Sequence, residues 1–99
     1  MLLIVGTVRL PQENLDEARG PMRVMVEASR AEDGCFEYSY AEDLFDPGLI
    51  HVKEIWRDQP ALDEHFASDH IKLWRASWEK LGIGDRRLQL YEVGAPLET

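Results

Sequence analysis

Apolar and polar positions change period several times along the chain, and each change marks an element. Residues 2–10 (LLIVGTVRL) are almost continuously apolar and β-branched, with Pro11 closing the run. Such a run suits a central strand covered on both faces. Asn14-Leu15-Asp16-Glu17 then reads as an N-cap with an acid three residues on, the capping-box pattern that opens a helix. Leu15, Ala18, Met22, Met25, Val26 and Ser29 follow at helical spacing, and Glu32-Asp33-Gly34 ends the segment. Gly20-Pro21 interrupts it; a mid-helix proline removes a backbone hydrogen bond, so a kink or a late start near Pro21 is expected.

From Cys35 to Glu42, Phe36, Tyr38 and Tyr40 alternate with Glu37, Ser39 and Ala41, the period of a strand with one apolar face. Asp46-Pro47-Gly48 is a turn. Its hairpin partner, residues 49–57, puts Ile50, Val52, Glu54 and Trp56 on one face and His51, Lys53, Ile55 and Arg57 on the other. Residues 58–67 begin a second helix with Pro60 in its first turn, where proline is tolerated. Ser68-Asp69 reads as a fresh N-cap, so the helix breaks and restarts. Ile71, Trp74, Trp78 and Leu81 then form one stripe, ended by Gly82 and Gly84, and residues 87–93 alternate as a last strand.

The order β-α-β-β-α(α)-β predicts an α+β fold: a single ferredoxin-like domain over residues 1–99, with an antiparallel sheet and its helices on one face. The other sheet face is then bare, while strand 1 is apolar on both sides. A 99-residue chain has nothing left to cover it, so a homodimer packed sheet to sheet is expected.

Charge and composition narrow the partners. The net charge is −8, from 19 acidic and 11 basic residues, and the one basic pair, Arg86-Arg87, follows Asp85. Nucleic acid and anionic membrane, which both ask for basic surfaces, are not expected partners. No run approaches the ~20 apolar residues of a membrane span. The opening Met1–Val5 run lacks a basic leader segment and reads as a buried strand. The single Cys35 forms no internal disulfide, which fits a cytoplasmic location, and no activating partner is visible for it.

Few residues remain that can carry chemistry. His65 and His70, five apart, would sit about 140° apart on an unbroken helix, and no third ligand is evident, so no metal site is expected. His65 and Asp69 at i, i+4 could form an oriented imidazole, although Asp69 also suits a helix start. His65 is the leading catalytic candidate because it lies at the helix break, where backbone N–H groups open toward any cavity. Glu54, on an apolar strand face, reads either as a general base with a raised pKa or as a buried ion pair with Arg57, Lys53 or a helix arginine; the pair is favoured. Trp56, Trp74 and Tyr38, with His70 and Glu54, could line a pocket for a flat aromatic ligand, although such stripes also serve as plain core.

Taken in order, Asp33-Gly34-Cys35-Phe36-Glu37-Tyr38, Glu54-Ile55-Trp56-Arg57-Asp58, Ala61-Leu62-Asp63-Glu64-His65-Phe66 and Ser68-Asp69-His70 resemble the antibiotic biosynthesis monooxygenase (ABM) domain family of dimeric α+β barrels. The resemblance covers about residues 2–94. It implies a sheet-to-sheet dimer and a pocket between sheet and helices. It also implies oxidation of anthrones, hydroquinones or polyketide-type phenols by dioxygen without metal, flavin or other cofactor. Under it His65 would be base or hydrogen-bond donor, with Trp56, Trp74 and Tyr38 as walls. Related haem-degrading enzymes place a ligating histidine where this chain has Arg75, so haem degradation is not expected. Two further readings stay open: a non-catalytic small-molecule-binding or accessory module, and an isomerase of a phosphorylated metabolite. The isomerase would need a cationic pocket, for which the chain offers Arg23, Arg30 and Arg75.

Overall fold

The computed structural model describes residues 1–99. It has the expected α+β architecture. Strands β1 (Leu2–Arg9), β2 (Cys35–Glu42), β3 (Leu49–Trp56) and β4 (Gly84–Glu92) form one antiparallel sheet in the order β2-β3-β1-β4. Helices α1 (Leu15–Arg30), α2 (Gln59–Phe66), α3 (Asp69–Ala76) and α4 (Trp78–Leu81) connect them. No helix is long and apolar enough to cross a membrane.

The period-2 pattern of β3 is realised as read: Ile50, Val52, Glu54 and Trp56 are buried, while His51 and Lys53 are exposed. Leu2, Ile4 and Val8 of β1 share that inner face, and Ala18, Met25 and Val26 of α1 with Leu62, Ile71, Trp74 and Leu81 close the core. The inner face is not fully roofed. Leu90 pairs with Ile4 and so points inward, yet it is 47% exposed.

Local expectations fail at five places. The Asn14 capping box does not form: a 3-10 turn over Gln12–Asn14 precedes α1, and the Asn14 amide donates instead to the Leu81 carbonyl at 2.9 Å. Helix α1 starts at Leu15 rather than near Pro21 and continues through the proline, because Glu17, Gly20 and Pro21 are all exposed and water can satisfy the freed carbonyl. The register of β2 shifts between Cys35 and Glu37, a bulge that takes Phe36 off the Tyr38 face and leaves it exposed. The Trp stripe is split between α3 and α4 at Ser77, whose hydroxyl donates to the Trp74 carbonyl at 2.6 Å. Strand β4 starts at Gly84, earlier than its alternation suggests.

Gly82 and Gly34 are among the glycines that geometry requires. Gly82 takes φ 73° to cap α4, and a Cβ on Gly34 would stand 2.2 Å from that of Ala61. The Gly34 contact seats the start of β2 against α2, the helix that carries His65.

The outer sheet face carries Leu3, Val5 and Ile55, half-buried, with exposed Phe36 and Tyr91. Leu3 lies directly between Ile55 and Tyr91 in the register. An apolar depression of about 350 Å³ opens there among Met1, Leu3, Phe36, Ile55, Val93 and Pro96.

Candidate functional site

Helix α2 begins on Asp58, whose side chain accepts from the Ala61 amide at 3.0 Å. Eight residues later the helix ends with His65 turned inward and 1% exposed. Its ring lies 4.6 Å from Trp56, 5.4 Å from Tyr38 and 5.7 Å from Phe66, centroid to centroid. The break then does its work through Ser68. The Ser68 hydroxyl donates to the His65 carbonyl at 2.6 Å and accepts from the Ile71 amide, starting α3 on a new axis. That change of direction brings His70 back to within 5.8 Å of the His65 ring.

Both histidines meet one carboxylate. His65 Nδ1 is 2.7 Å from Glu32 Oε2, and His70 Nε2 is 3.2 Å from the same oxygen. This corrects two expectations. The angular separation of His65 and His70 holds only for an unbroken helix, and the break cancels it. Asp69 is not the partner of His65; it is exposed in the first turn of α3. Glu32 was missed, although one signal was available. It is an acid just beyond the C-terminus of α1, where the helix dipole disfavours negative charge.

The contact selects the tautomer of the neutral His65 ring. An ionised carboxylate only accepts, so Nδ1 carries the proton and donates to Glu32, and the neutral ring presents Nε2 as a bare lone pair. Nε2 has no hydrogen-bond partner in the protein. Burial lowers the His65 pKa, with the Glu32 hydrogen bond and charge pulling the other way.

Glu54 corrects another expectation. Lys53 pairs with Glu37, and Arg57 with Asp33 and Asp58, which leaves Glu54 without an ion pair. At 5% exposure its Oε1 accepts from the Trp56 indole N–H at 2.9 Å. Burial raises its pKa, against the Trp56 hydrogen bond and the more distant charges of Arg86 and Arg75. Glu54 is thus the desolvated acid of the alternative reading.

His65, Trp56, Tyr38, His70 and Glu54 therefore belong to one packed cluster, with Tyr38 stacked on Tyr40 and Tyr40 edge-on to Trp74. The cluster is closed. Two cavities of similar size touch it: a groove of about 260 Å³ between α1 and α3, lined by Pro21, Val24, Met25, His70, Leu73 and Trp74, and one of about 240 Å³ that Tyr38 lines with Arg30 and Cys35. Between sheet and helix there is a smaller opening of about 100 Å³, lined by Leu15, Arg19 and Met22 of α1 with Tyr40, Glu42 and Ile50 of the sheet.

A cationic edge adjoins the cluster, and sequence reasoning took only half of it. Arg75 stacks over Phe66 at 5.2 Å and faces Trp78 at 5.8 Å, while Arg86 covers Trp78 at 4.6 Å. Of the other arginines weighed, Arg23 is bound to Glu27 and Arg30 to the Tyr38 carbonyl. The indole N–H groups of Trp74 and Trp78 are buried without an acceptor. Cys35 is no nucleophile: burial pushes its thiol up to about 11.

Comparison with known proteins places this geometry in a family context. The family model for antibiotic biosynthesis monooxygenase matches residues 1–77. An uncharacterised protein of Synechocystis sp. is 29% identical over 92 residues, spanning 93% of this chain and 63% of that protein. A Mycobacterium tuberculosis protein that carries a monooxygenase name by assignment is 39% identical over 64 residues, 61% of this chain and 62% of that one. The chain thus spans less than two thirds of the length of these curated relatives. Among solved structures, a Deinococcus radiodurans protein assigned to the same group superposes with a TM-score of 0.90 at 27% identity, covering 100% of this chain and 98% of the other. The structure of the M. tuberculosis protein gives 0.75 at 30% identity, covering 99% and 96%.

Proposed function

The chain belongs to the antibiotic biosynthesis monooxygenase family, and from that premise we propose that it is a monooxygenase-like enzyme that oxidises a small electron-rich aromatic with dioxygen and no cofactor. The observation that supports this reading is the Glu32–His65 contact, which leaves a neutral imidazole with a free Nε2 inside an aromatic cluster. Cofactor-free oxygenation needs a base that is unprotonated at neutral pH and shielded from water. His65 has both properties.

In this mechanism His65 Nε2 takes a proton from an acidic C–H or O–H of an anthrone- or hydroquinone-type substrate. The imidazolium is held against the Glu32 carboxylate. The substrate anion gives one electron to O₂, the radical pair joins as a C–O bond, and the peroxide eliminates water. For a CH₂ centre the balance is R₂CH₂ + O₂ → R₂C=O + H₂O, one oxygen atom entering product and one leaving as water. Glu54, desolvated and above its ordinary pKa, is a second proton-transfer group on the same face. Arg75 and Arg86 favour an anionic substrate at the neighbouring edge.

The substrate approaches from the α1–α3 groove, where His70 and Trp74 form part of the lining. It reaches His65 as the partly exposed side chains of Phe66 and His70 move aside. The apolar outer face of the sheet supports a homodimer packed through Leu3, Phe36, Ile55 and Tyr91.

The test is oxygen uptake with a panel of hydroquinones and anthrones, wild type against His65→Ala. Uptake by wild type that is lost in the variant agrees with this reading. No uptake on any substrate moves the assignment to a binding module, for which the tight packing of the cluster is the favouring observation. An unchanged rate in the variant removes His65 from the mechanism.

A further inference from the structure

Glu32, His65 and His70 reach one point from three separate places: the turn after α1, the end of α2 and the start of α3. Their donor atoms all lie within 4.8 Å of one another. We propose that these three side chains form a binding site for a divalent transition-metal ion of the zinc class. The site goes beyond the oxygenation chemistry above and does not depend on it.

The donor set selects the ion. Two imidazoles and one carboxylate suit Zn²⁺, Co²⁺, Ni²⁺ or Cu²⁺, whereas Mg²⁺ and Ca²⁺ ask for oxygen ligands throughout. The geometry is close to what such an ion needs. At metal–ligand distances near 2.0–2.2 Å, neighbouring donors stand roughly 3–3.5 Å apart. Here His65 Nδ1 and His70 Nε2 are 2.7 and 3.2 Å from Glu32 Oε2.

Binding therefore asks for shifts of about an ångström, which the flexible arm of Glu32 and the ring of His70 can supply. His65 itself is clamped between Trp56 and Tyr38 and serves as the fixed ligand. The side chains of Glu32 and His70 are 19% and 20% exposed, so an ion can arrive from solvent and keep water in its remaining positions. The Ser68 hydroxyl, 3.2 Å from His70 Nε2, is placed to hydrogen-bond such a water. The net charge of −8 favours a cation throughout.

Occupation has a chemical consequence. A metal on Nδ1 displaces the proton now shared with Glu32, and the neutral ring then carries its proton on Nε2. Metal binding and use of Nε2 as a base therefore exclude one another.

The test titrates Co²⁺ into chelator-treated protein and follows its visible absorption, with Zn²⁺ competition measured by calorimetry. One ion per chain is expected. His70→Ala and Glu32→Gln are each expected to weaken binding about tenfold or more. His51→Ala, which removes the only other histidine–carboxylate contact, His51 with Asp43 at 2.8 Å, should leave binding unchanged. Unaltered thermal unfolding of metal-free His70→Ala separates a lost ligand from a lost fold. Absence of saturable binding overturns the proposal, as does wild-type affinity in His70→Ala and Glu32→Gln or loss of binding in His51→Ala. None of these readouts requires turnover, so failure here and failure of the oxygenase reading are told apart.

Discussion

Replacing Glu32 by Gln keeps the size of the side chain and an oxygen that can accept from His65 Nδ1, but removes the charge 2.7 Å from the ring. A carboxylate this close typically raises a neighbouring imidazole by about 1–3 pKa units. The His65 pKa, already below its ordinary 6.5 because the ring is buried, should therefore fall further in Glu32→Gln. Each unit corresponds to about 1.4 kcal/mol of lost preference for the imidazolium. If proton transfer is half complete in the transition state, about 0.7–2 kcal/mol of its stabilisation is lost, or roughly 3- to 30-fold in kcat/KM. The assay is an NMR titration of the His65 ring in chelator-treated protein, paired with the pH profile of oxygen uptake. The acid limb of both should move to lower pH. A merely structural role for Glu32 would lower the rate without moving the limb. A His65 pKa that is unmoved or raised in the variant refutes the reasoning.

Other consequences can be measured separately. His65 charges less readily in the folded than in the unfolded chain, so its contribution to stability is present above pH 6.5 and lost as pH falls toward its depressed native pKa; urea midpoints in metal-free protein between pH 7 and 5 should show a fall that His65→Phe lacks. Glu54 has the opposite sign: its native pKa is raised above 4.5, so stability is present below 4.5 and lost as pH rises through that native value. Glu54→Gln, which keeps an acceptor for the Trp56 N–H, should therefore be more stable than wild type at pH 7 but not at pH 4. Gly34→Ala places a methyl 2.2 Å from Ala61 Cβ and should cost about 1–3 kcal/mol, a Tm loss on the order of 5–15 °C for a domain of this size; an unchanged Tm would show that the β2–α2 contact is slack. Ile55→Asp on the outer sheet face should turn a dimer into a monomer by sedimentation, and a wild-type monomer at micromolar concentration would remove the dimer altogether.

The fold was legible in the sequence because burial follows a period that composition displays. The alternation of Ile50, Val52, Glu54 and Trp56, the Ile71–Leu81 stripe and the Ser68 restart each carry their own evidence. What was not legible depends on contacts between distant segments. Asn14 forms no box because the preceding 3-10 turn puts its own backbone in the helical region rather than the extended one, and its side-chain amide is turned to the Leu81 carbonyl. Phe36 leaves the Tyr38 face because a bulge inserts one residue, which alternation alone cannot reveal. The site divides in the same way. His65 could be picked out from the helix break, but its partner Glu32 lies 33 positions earlier, and only the fold brings them together. A shared His65–His70 site was not expected because no third ligand was visible near them in sequence, and the carboxylate that meets both, Glu32, comes from a distant segment. Glu54 read as an ion pair because arginines and lysines were close in sequence, yet each had a nearer acid on the exposed side.

The most direct test of the central claim is oxygenation under ¹⁸O₂ with an anthrone that wild type consumes, analysed by mass spectrometry of the product. The account predicts one ¹⁸O atom per product molecule, a rate that persists in chelator-treated protein, and loss of most of that rate in His65→Ala. Product without label, or a labelled product formed equally fast by His65→Ala, would contradict it.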